Sequence, residues 1–367
     1  MTENGFVETH EISAEASYGV ELYLIRFTTT ALDGGSATVA AHLAVPRLDD
    51  PMEVPVYVFG PGTTGLTDQC APSAEHVRGA DWGNYLEHTV AHAGHGVIGM
   101  MPDYMGFGDT EMLQPYLVAE AEARVMLDAI RAVERFFEDG AQGAHPGGAF
   151  VAGYSQGGHA AFAAADLQAS YAPDTELLGV IGYGPTTDVV AVLREFTVVA
   201  PLLVYAYAQV YGTERIDPTE ILAGEWLANL EDDVTSMCID AIQQYYPLTP
   251  EPLFTAAFTE ALLSDRLADT YPEAYELFSK NSVGLAGHGI PALILQGTDD
   301  PVVRVETQNT FVELLCEAGS SVSYRRFEGV RHNTRNVGFA EAQAWMSSLA
   351  AGEPRPDDCE AMRGASE

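Results

Sequence analysis

Gly153-Tyr154-Ser155-Gln156-Gly157 decides how this chain is read. It follows the apolar run at residues 148–152 and opens an alanine-rich segment, residues 158–167, that reads as a helix. Strand, tight turn and helix form the context in which a G-x-S-x-G motif carries chemistry; without them it is a common glycine-rich turn. Such a turn holds Ser155 in a strained conformation that lifts its hydroxyl clear of the sheet. Gly153 and Gly157 are required because side chains would collide as strand and helix fold back on one another. Ser155 is the candidate nucleophile.

A serine hydroxyl is a poor nucleophile near neutral pH and needs a base, which in turn needs an orienting group. On a strand-turn-helix elbow the chain order is serine, acid, histidine. Beyond Ser155 there are three histidines, His159, His288 and His332. His159 sits on the helix after the elbow, and His288 precedes any credible acid. His332 follows the run at residues 322–327 in a Gly-Val-Arg-His turn, where the base belongs. The acid is expected in Gly297-Thr298-Asp299-Asp300-Pro301-Val302-Val303, at the carboxyl end of a strand at residues 292–296. The fourth position of G-x-x-D, followed by proline and small apolar residues, selects Asp300. Asp299 would then point away and cap the turn.

Acyl chemistry also needs two backbone N–H groups for the developing oxyanion. Gln156, at the start of the elbow helix, is one. The other is assigned to Thr63 in Gly60-Pro61-Gly62-Thr63-Thr64-Gly65, the loop after the strand at residues 56–59, with Gly62 letting the backbone turn. A phosphate-binding loop is excluded by the absence of Gly-Lys-Ser/Thr and of G-x-G-x-x-G spacing.

Together these stretches resemble the α/β-hydrolases of the secretory lipase group, the lipase A-like esterases. The resemblance rests on residues 60–65 with Asp68-Gln69-Cys70-Ala71-Pro72, Pro102-Asp103-Tyr104-Met105-Gly106-Phe107-Gly108, residues 153–158, residues 297–303 and residues 329–332. One departure is visible: Pro61-Gly62 stands where relatives commonly carry His-Gly. Asp103 and Tyr104 read as structural, ordering the turn after a strand.

Composition narrows the class. At 367 residues the chain can hold one large α/β domain with an insertion. Its formal charge of −36 argues against nucleic acid. Lys280 is the only lysine. That pattern fits salt adaptation, or equally an ordinary acidic exported protein encoded by GC-rich codons. Cys70, Cys238, Cys316 and Cys359 form no C-x-x-C pair, so no metal site is expected. Two disulfides in an exported protein would use all four, with Cys70–Cys238 and Cys316–Cys359 the pairing suggested by position. Connectivity does not follow from sequence, and four thiols in a cytosolic protein is the competing reading. Residues 1–20 lack the apolar core of a signal peptide, so the chain is expected to be cytoplasmic or a mature form with an added Met1. The resemblance favours a secreted or periplasmic protein.

Two β-rich runs, residues 21–30 and 37–45, read as an antiparallel edge. Strands at 56–59, 96–101, 149–154 and 178–182 then alternate with helices at 84–93 and 117–138 and the elbow helix, predicting a mostly parallel sheet covered on both faces. Alternation stops at residue 186 and resumes with the strand at 292–296, helix 307–318, strand 322–327 and helix 339–350. The expected division is an α/β-hydrolase core at residues 1–185 and 288–367 carrying a helical cap at 186–287. Within the cap, residues 197–211 are nearly all apolar but too short, and interrupted by Pro201, for a membrane span. They read as cap packing or as an acyl-binding or lipid-facing wall. Residues after Gly352 are expected to lie loosely on the surface, apart from Cys359. Every candidate catalytic group falls at the carboxyl end of a strand. The expectation is a serine ester hydrolase that needs no cofactor and acts on small-molecule or lipid esters. A serine peptidase or an acyltransferase is the rival on the same residues, and a non-catalytic binding relative a more distant one.

Overall fold

The computed structural model describes residues 16–109, 112–138, 144–354 and 357–360. The first fifteen residues, in the segment read for a signal-peptide core, and the last residues of the tail lie outside them. Eight strands form one sheet: β1 (Val20–Thr30), β2 (Ser36–Pro46), β3 (Met52–Gly60), β4 (Ile98–Pro102), β5 (Ala144–Tyr154), β6 (Leu177–Tyr183), β7 (Ala292–Gly297) and β8 (Val322–Phe327), in the order β1-β2-β4-β3-β5-β6-β7-β8. β1 and β2 pair antiparallel, as does β2 with β4; every other pairing is parallel. The antiparallel edge and parallel centre therefore lie where the sequence pattern puts them.

Side-chain alternation splits the sheet between two cores. Val56 and Val58 of β3, Val151 of β5, Val180 of β6 and Ile294 of β7 pack with the long helix Ala119–Glu138, the elbow helix Gln156–Tyr171 and the helix Val305–Glu317. Their neighbours Tyr57, Phe59, Phe150, Ile181 and Leu293 pack on the other face with Tyr85 and with Trp345 and Met346 of the closing helix Phe339–Ala350. Both faces are covered, as a parallel sheet requires. Pro55 sits inside central β3, where its missing N–H would break a ladder. The β3–β5 register shifts between Val54 and Val56, and pairing with β4 begins only at Val56. The irregularity absorbs the proline.

Between β6 and β7 the regular structure from Val189 to Lys280 is helical, apart from one isolated bridge between Leu222 and Phe254. Within it the apolar segment becomes a short 3-10 turn, Thr197–Val199, and the helix Ala200–Tyr211. Its Leu202, Leu203, Val204 and Tyr207 are buried in a core shared with Tyr116, Leu117, Val118 and Val125. No single helix among the described residues is long and apolar enough to cross a membrane.

Two disulfides are formed, Cys70–Cys238 and Cys316–Cys359. The tail departs from expectation around the second. Asp358 N–H donates to Val322 O at 2.7 Å, and the Asp358 carboxylate accepts from Tyr324 N–H and from Arg325. The tail covers the outer edge of β8, the end strand of the sheet, whose backbone groups would otherwise be unpaired.

Candidate active site

The elbow is built by three glycines in backbone contact. A Cβ on Gly153 would lie 1.8 Å from Gly157 O, and one on Gly157 would lie 1.8 Å from Gly60 O. No side chain fits at either place, so β5, the elbow helix and the loop after β3 can approach this closely only with glycine there. Ser155 takes φ 54° and ψ −115°, a region that costs a non-glycine residue about 1–3 kcal/mol. The surrounding chain holds it there: Ser155 N–H donates to Tyr183 O, and Ser155 O accepts from the N–H groups of Gly158, His159 and Thr186. The Ser155 side chain makes no capping bond to the helix.

Asp300 is buried and His332 nearly so, with His332 Nδ1 2.7 Å from Asp300 Oδ2. An ionised carboxylate only accepts, so Nδ1 carries the proton and Nε2 presents its lone pair. Asp300 is itself held: Oδ1 accepts from Val302 N–H at 2.8 Å and Val303 N–H at 3.0 Å, and Oδ2 accepts from Gln296 Nε2 at 3.3 Å. Asp299, its neighbour, is exposed and reaches only Thr298. The two turns carrying Asp300 and His332 are stitched together by Asp299 N–H to Val330 O and Gly329 N–H to Thr298 Oγ1. Gly297 permits this, since a Cβ there would lie 2.1 Å from Val330 O. His332 Nε2 is buried and without a hydrogen-bond partner.

Ser155 and His332 line one cavity of about 650 Å³, together with Thr63. Thr63 Oγ1 shares a 2.9 Å hydrogen bond with Tyr116 Oη, which fixes its side chain, and neither Thr63 N–H nor Gln156 N–H has a backbone acceptor among the described residues. The Thr63 loop is also held from behind by Tyr104, whose hydroxyl donates to Pro61 O at 2.6 Å. Asp103 accepts from Ser73 N–H and Ser73 Oγ–H, and burial pushes its carboxyl up to about 6. Both residues order loops, as read from the sequence.

The remaining histidines have other surroundings. His159 is fully buried, its Nδ1 2.5 Å from Glu122 Oε2 and its Nε2 2.7 Å from Asn281 O. Glu122 also accepts from Gln156 Nε2 at 2.8 Å, so this pair braces the residue beside Ser155. His288 accepts from Ile290 N–H through Nδ1.

Part of the cavity wall left no mark on the sequence. Tyr85, Tyr154, Phe196, Ile239, Gln243 and Arg335 come from five separated stretches and meet only in the fold. None of residues 197–211 lines this cavity, and most of them are buried in the core, as the packing reading expects; the neighbouring Phe196 does line it.

With this geometry in view, comparison with known proteins adds the following. The family model described as secretory lipase matches residues 87–358. A Mycobacterium tuberculosis (strain CDC 1551 / Oshkosh) protein named "Probable inactive lipase" is 26% identical over 351 residues, 91% of this chain and 74% of that protein. Among solved structures, the rice cell wall degrading esterase LipA from Xanthomonas oryzae superposes with a TM-score of 0.73, at 18% identity, covering 92% of this chain and 90% of its own. Candida antarctica lipase A gives 0.68 at 16% identity, over 93% of this chain and 80% of its own. At these identities the structural likeness is one of fold, the α/β-hydrolase fold.

Proposed function

The chain belongs to the secretory lipase family, and from that premise we propose that it is a serine carboxylic-ester hydrolase working through an acyl-enzyme. The main support is one juxtaposition: Ser155, strained at an elbow, opens into the same cavity as a histidine whose other nitrogen is held 2.7 Å from a buried carboxylate. In this reading Ser155 Oγ attacks the ester carbonyl carbon as its proton passes to His332 Nε2. Asp300 keeps the imidazole in the right tautomer and offsets the imidazolium. The N–H groups of Thr63 and Gln156 donate to the oxyanion. His332 then returns the proton to the leaving alcohol, and water repeats the sequence on the acyl-enzyme to release the acid. The unpartnered Nε2 fits a hydrogen bond that tightens only when substrate arrives.

The helical stretch between β6 and β7 is read as a cap, residues 186–287, since Phe196, Ile239 and Gln243 from it line the cavity. Family and two disulfides agree with export. Esters of short to medium chain, or bulkier ones, are the proposed substrates.

The name of the mycobacterial relative raises the alternative that this fold binds without turning over. Labelling with a fluorophosphonate, followed by peptide mapping, separates the two. Modification at Ser155 alone, together with a loss of about three orders of magnitude or more in p-nitrophenyl ester hydrolysis by Ser155→Ala, is the expected result. A protein that neither labels nor hydrolyses any ester belongs to the binding alternative, and labelling at another serine removes Ser155 from its role.

A further inference from the structure

Arg335 is an anomaly in this cavity. It is only 7% exposed, in a chain with 53 acidic residues, yet no carboxylate forms an ion pair with it among the described residues. Nη2 donates to Gly83 O at 2.6 Å, while Nε is buried with no partner. The guanidinium packs on two rings, 4.6 Å from the centre of Tyr154 and 4.9 Å from that of Tyr85. Two such contacts offset part of the desolvation of a buried cation, but an unfilled buried donor still costs about 1–3 kcal/mol. Two buried acids of this region are occupied: Asp300 is bonded to His332, and Glu75 accepts from the N–H groups of Trp82, Gly83, Asn84 and Tyr85, fixing the loop that offers Gly83 O. The acidic residues that line the cavity, Asp81, Glu87 and Asp240, are all exposed, at its mouth.

The position is as telling as the chemistry. Tyr154 precedes the proposed nucleophile, and its ring centre stands 4.8 Å from that of His332 and 4.6 Å from the Arg335 guanidinium. Arg335 therefore lies one aromatic ring away from the reacting groups. A guanidinium presents up to five N–H donors in a plane that matches a carboxylate. We propose that Arg335 binds a free carboxylate carried by the ester itself, so that the preferred substrates are monoesters of dicarboxylic acids. This rests on the hydrolase reading and adds a substrate class to it. Binding such an anion would fill the orphaned donor and neutralise the buried cation in one step.

The test compares two p-nitrophenyl esters of similar length, the hydrogen glutarate and the pentanoate, at molar salt, where repulsion by the acidic surface is screened. Wild-type protein is expected to favour the hydrogen glutarate in kcat/KM. Arg335→Gln is expected to lower the preference by about 10- to 100-fold, mainly through KM, the worth of a hydrogen bond to a charged group. Arg335→Lys should keep part of it. If wild type shows no preference, or if Arg335→Gln depresses both esters equally, Arg335 is a structural clamp on Tyr85 and Tyr154 and the proposal is overturned. Should Arg335→Gln not fold, the wild-type preference and Arg335→Lys decide. A binding arm is made independent of turnover by removing the nucleophile: calorimetric titration of Ser155→Ala with monomethyl glutarate should show binding that weakens when Arg335→Lys is added. If no ester is hydrolysed but this binding is seen, the hydrolase reading fails and the carboxylate site stands. If esters are hydrolysed and no binding is seen, the reverse holds.

Discussion

Gly157 shows how single atoms control the site. A methyl group there would sit 1.8 Å from Gly60 O and 2.3 Å from Gly60 C, backbone atoms with nowhere to go. Gly157→Ala is therefore expected to cost about 3 kcal/mol or more, at the top of the usual overpacking range, and to displace the Thr63 loop from Ser155. Thermal unfolding and ester turnover should both suffer; a variant of normal stability would show that the loop yields more easily than its contacts imply. The adjacent aspartates make a second test at this scale. Asp300 is buried, bonded to His332 and held by two amides, whereas Asp299 faces solvent. Asp300→Asn should lower kcat by about four orders of magnitude, because the imidazole is then held in the wrong tautomer. Asp299→Asn should cost about tenfold or less. Kinetics on the two variants side by side distinguish them, and a reversed order would move the acid to Asp299.

The helix Tyr85–Ala93 carries an electrostatic device that its sequence hides. Its His88 and His92 are fully buried and stack around Tyr57 and Phe59 of β3, with His88 Nε2 3.0 Å from Tyr57 Oη and His92 Nδ1 2.6 Å from Gln343 Nε2. Burial holds His88 well below the usual imidazole range and pushes His92 down to about 3. Both are neutral in the fold and would charge in the unfolded chain near 6.5. Their contribution to stability is thus complete above pH 6.5 and is lost as pH falls below it, for His92 down to about 3, at about 1.4 kcal/mol per pH unit for each histidine. Asp103 works in the opposite sense. Its carboxyl, raised to about 6 by burial, favours the fold below its unfolded value and loses that contribution as pH rises through 6. Between pH 7 and 6 the histidines should dominate, so melting temperature should fall on acidification. Replacing His92 by Gln should flatten that slope, whatever it does to absolute stability; parallel curves for the two proteins would refute the assignment.

At the scale of the molecule, the question is how the helical stretch is tied to the sheet. Cys70, which follows the Thr63 loop, is bonded to Cys238, and around that bond Ile239 N–H donates to Thr64 O, Gln69 Nε2 to Ser236 O and Trp82 Nε1 to Asp240 Oδ1. On another side Glu195 accepts from Arg304 N–H and Thr307 Oγ1–H. Opening as a cap would then be confined to the sides away from the Cys70 seam. The bond closes a separation of 168 residues and Cys316–Cys359 one of 43, worth about 5 and about 4 kcal/mol on the chain-entropy model, less any strain. Reduction should lower the melting temperature and change turnover of bulky esters more than of acetate. Equal effects on both would mean that the seam stabilises the fold without shaping access.

The elbow turn, the turns that carry Asp300 and His332 and the alternation of strands were legible because each is local: a tight turn demands glycine, a parallel sheet demands apolar runs separated by helices, and chain order leaves His332 as the one histidine after Asp300. The paired aspartates were separable by position alone, and the structure puts Asp300, not Asp299, against His332. What the residue order could not express was anything made by distant segments meeting. The burial of His88 and His92, the return of Asp358 to the edge of β8, and the placing of Arg335 against Tyr85 and Tyr154 all join residues far apart in the chain. Local pattern records what a segment must be to fold; which charge ends up without a partner depends on everything packed around it, and only the tertiary structure decides that.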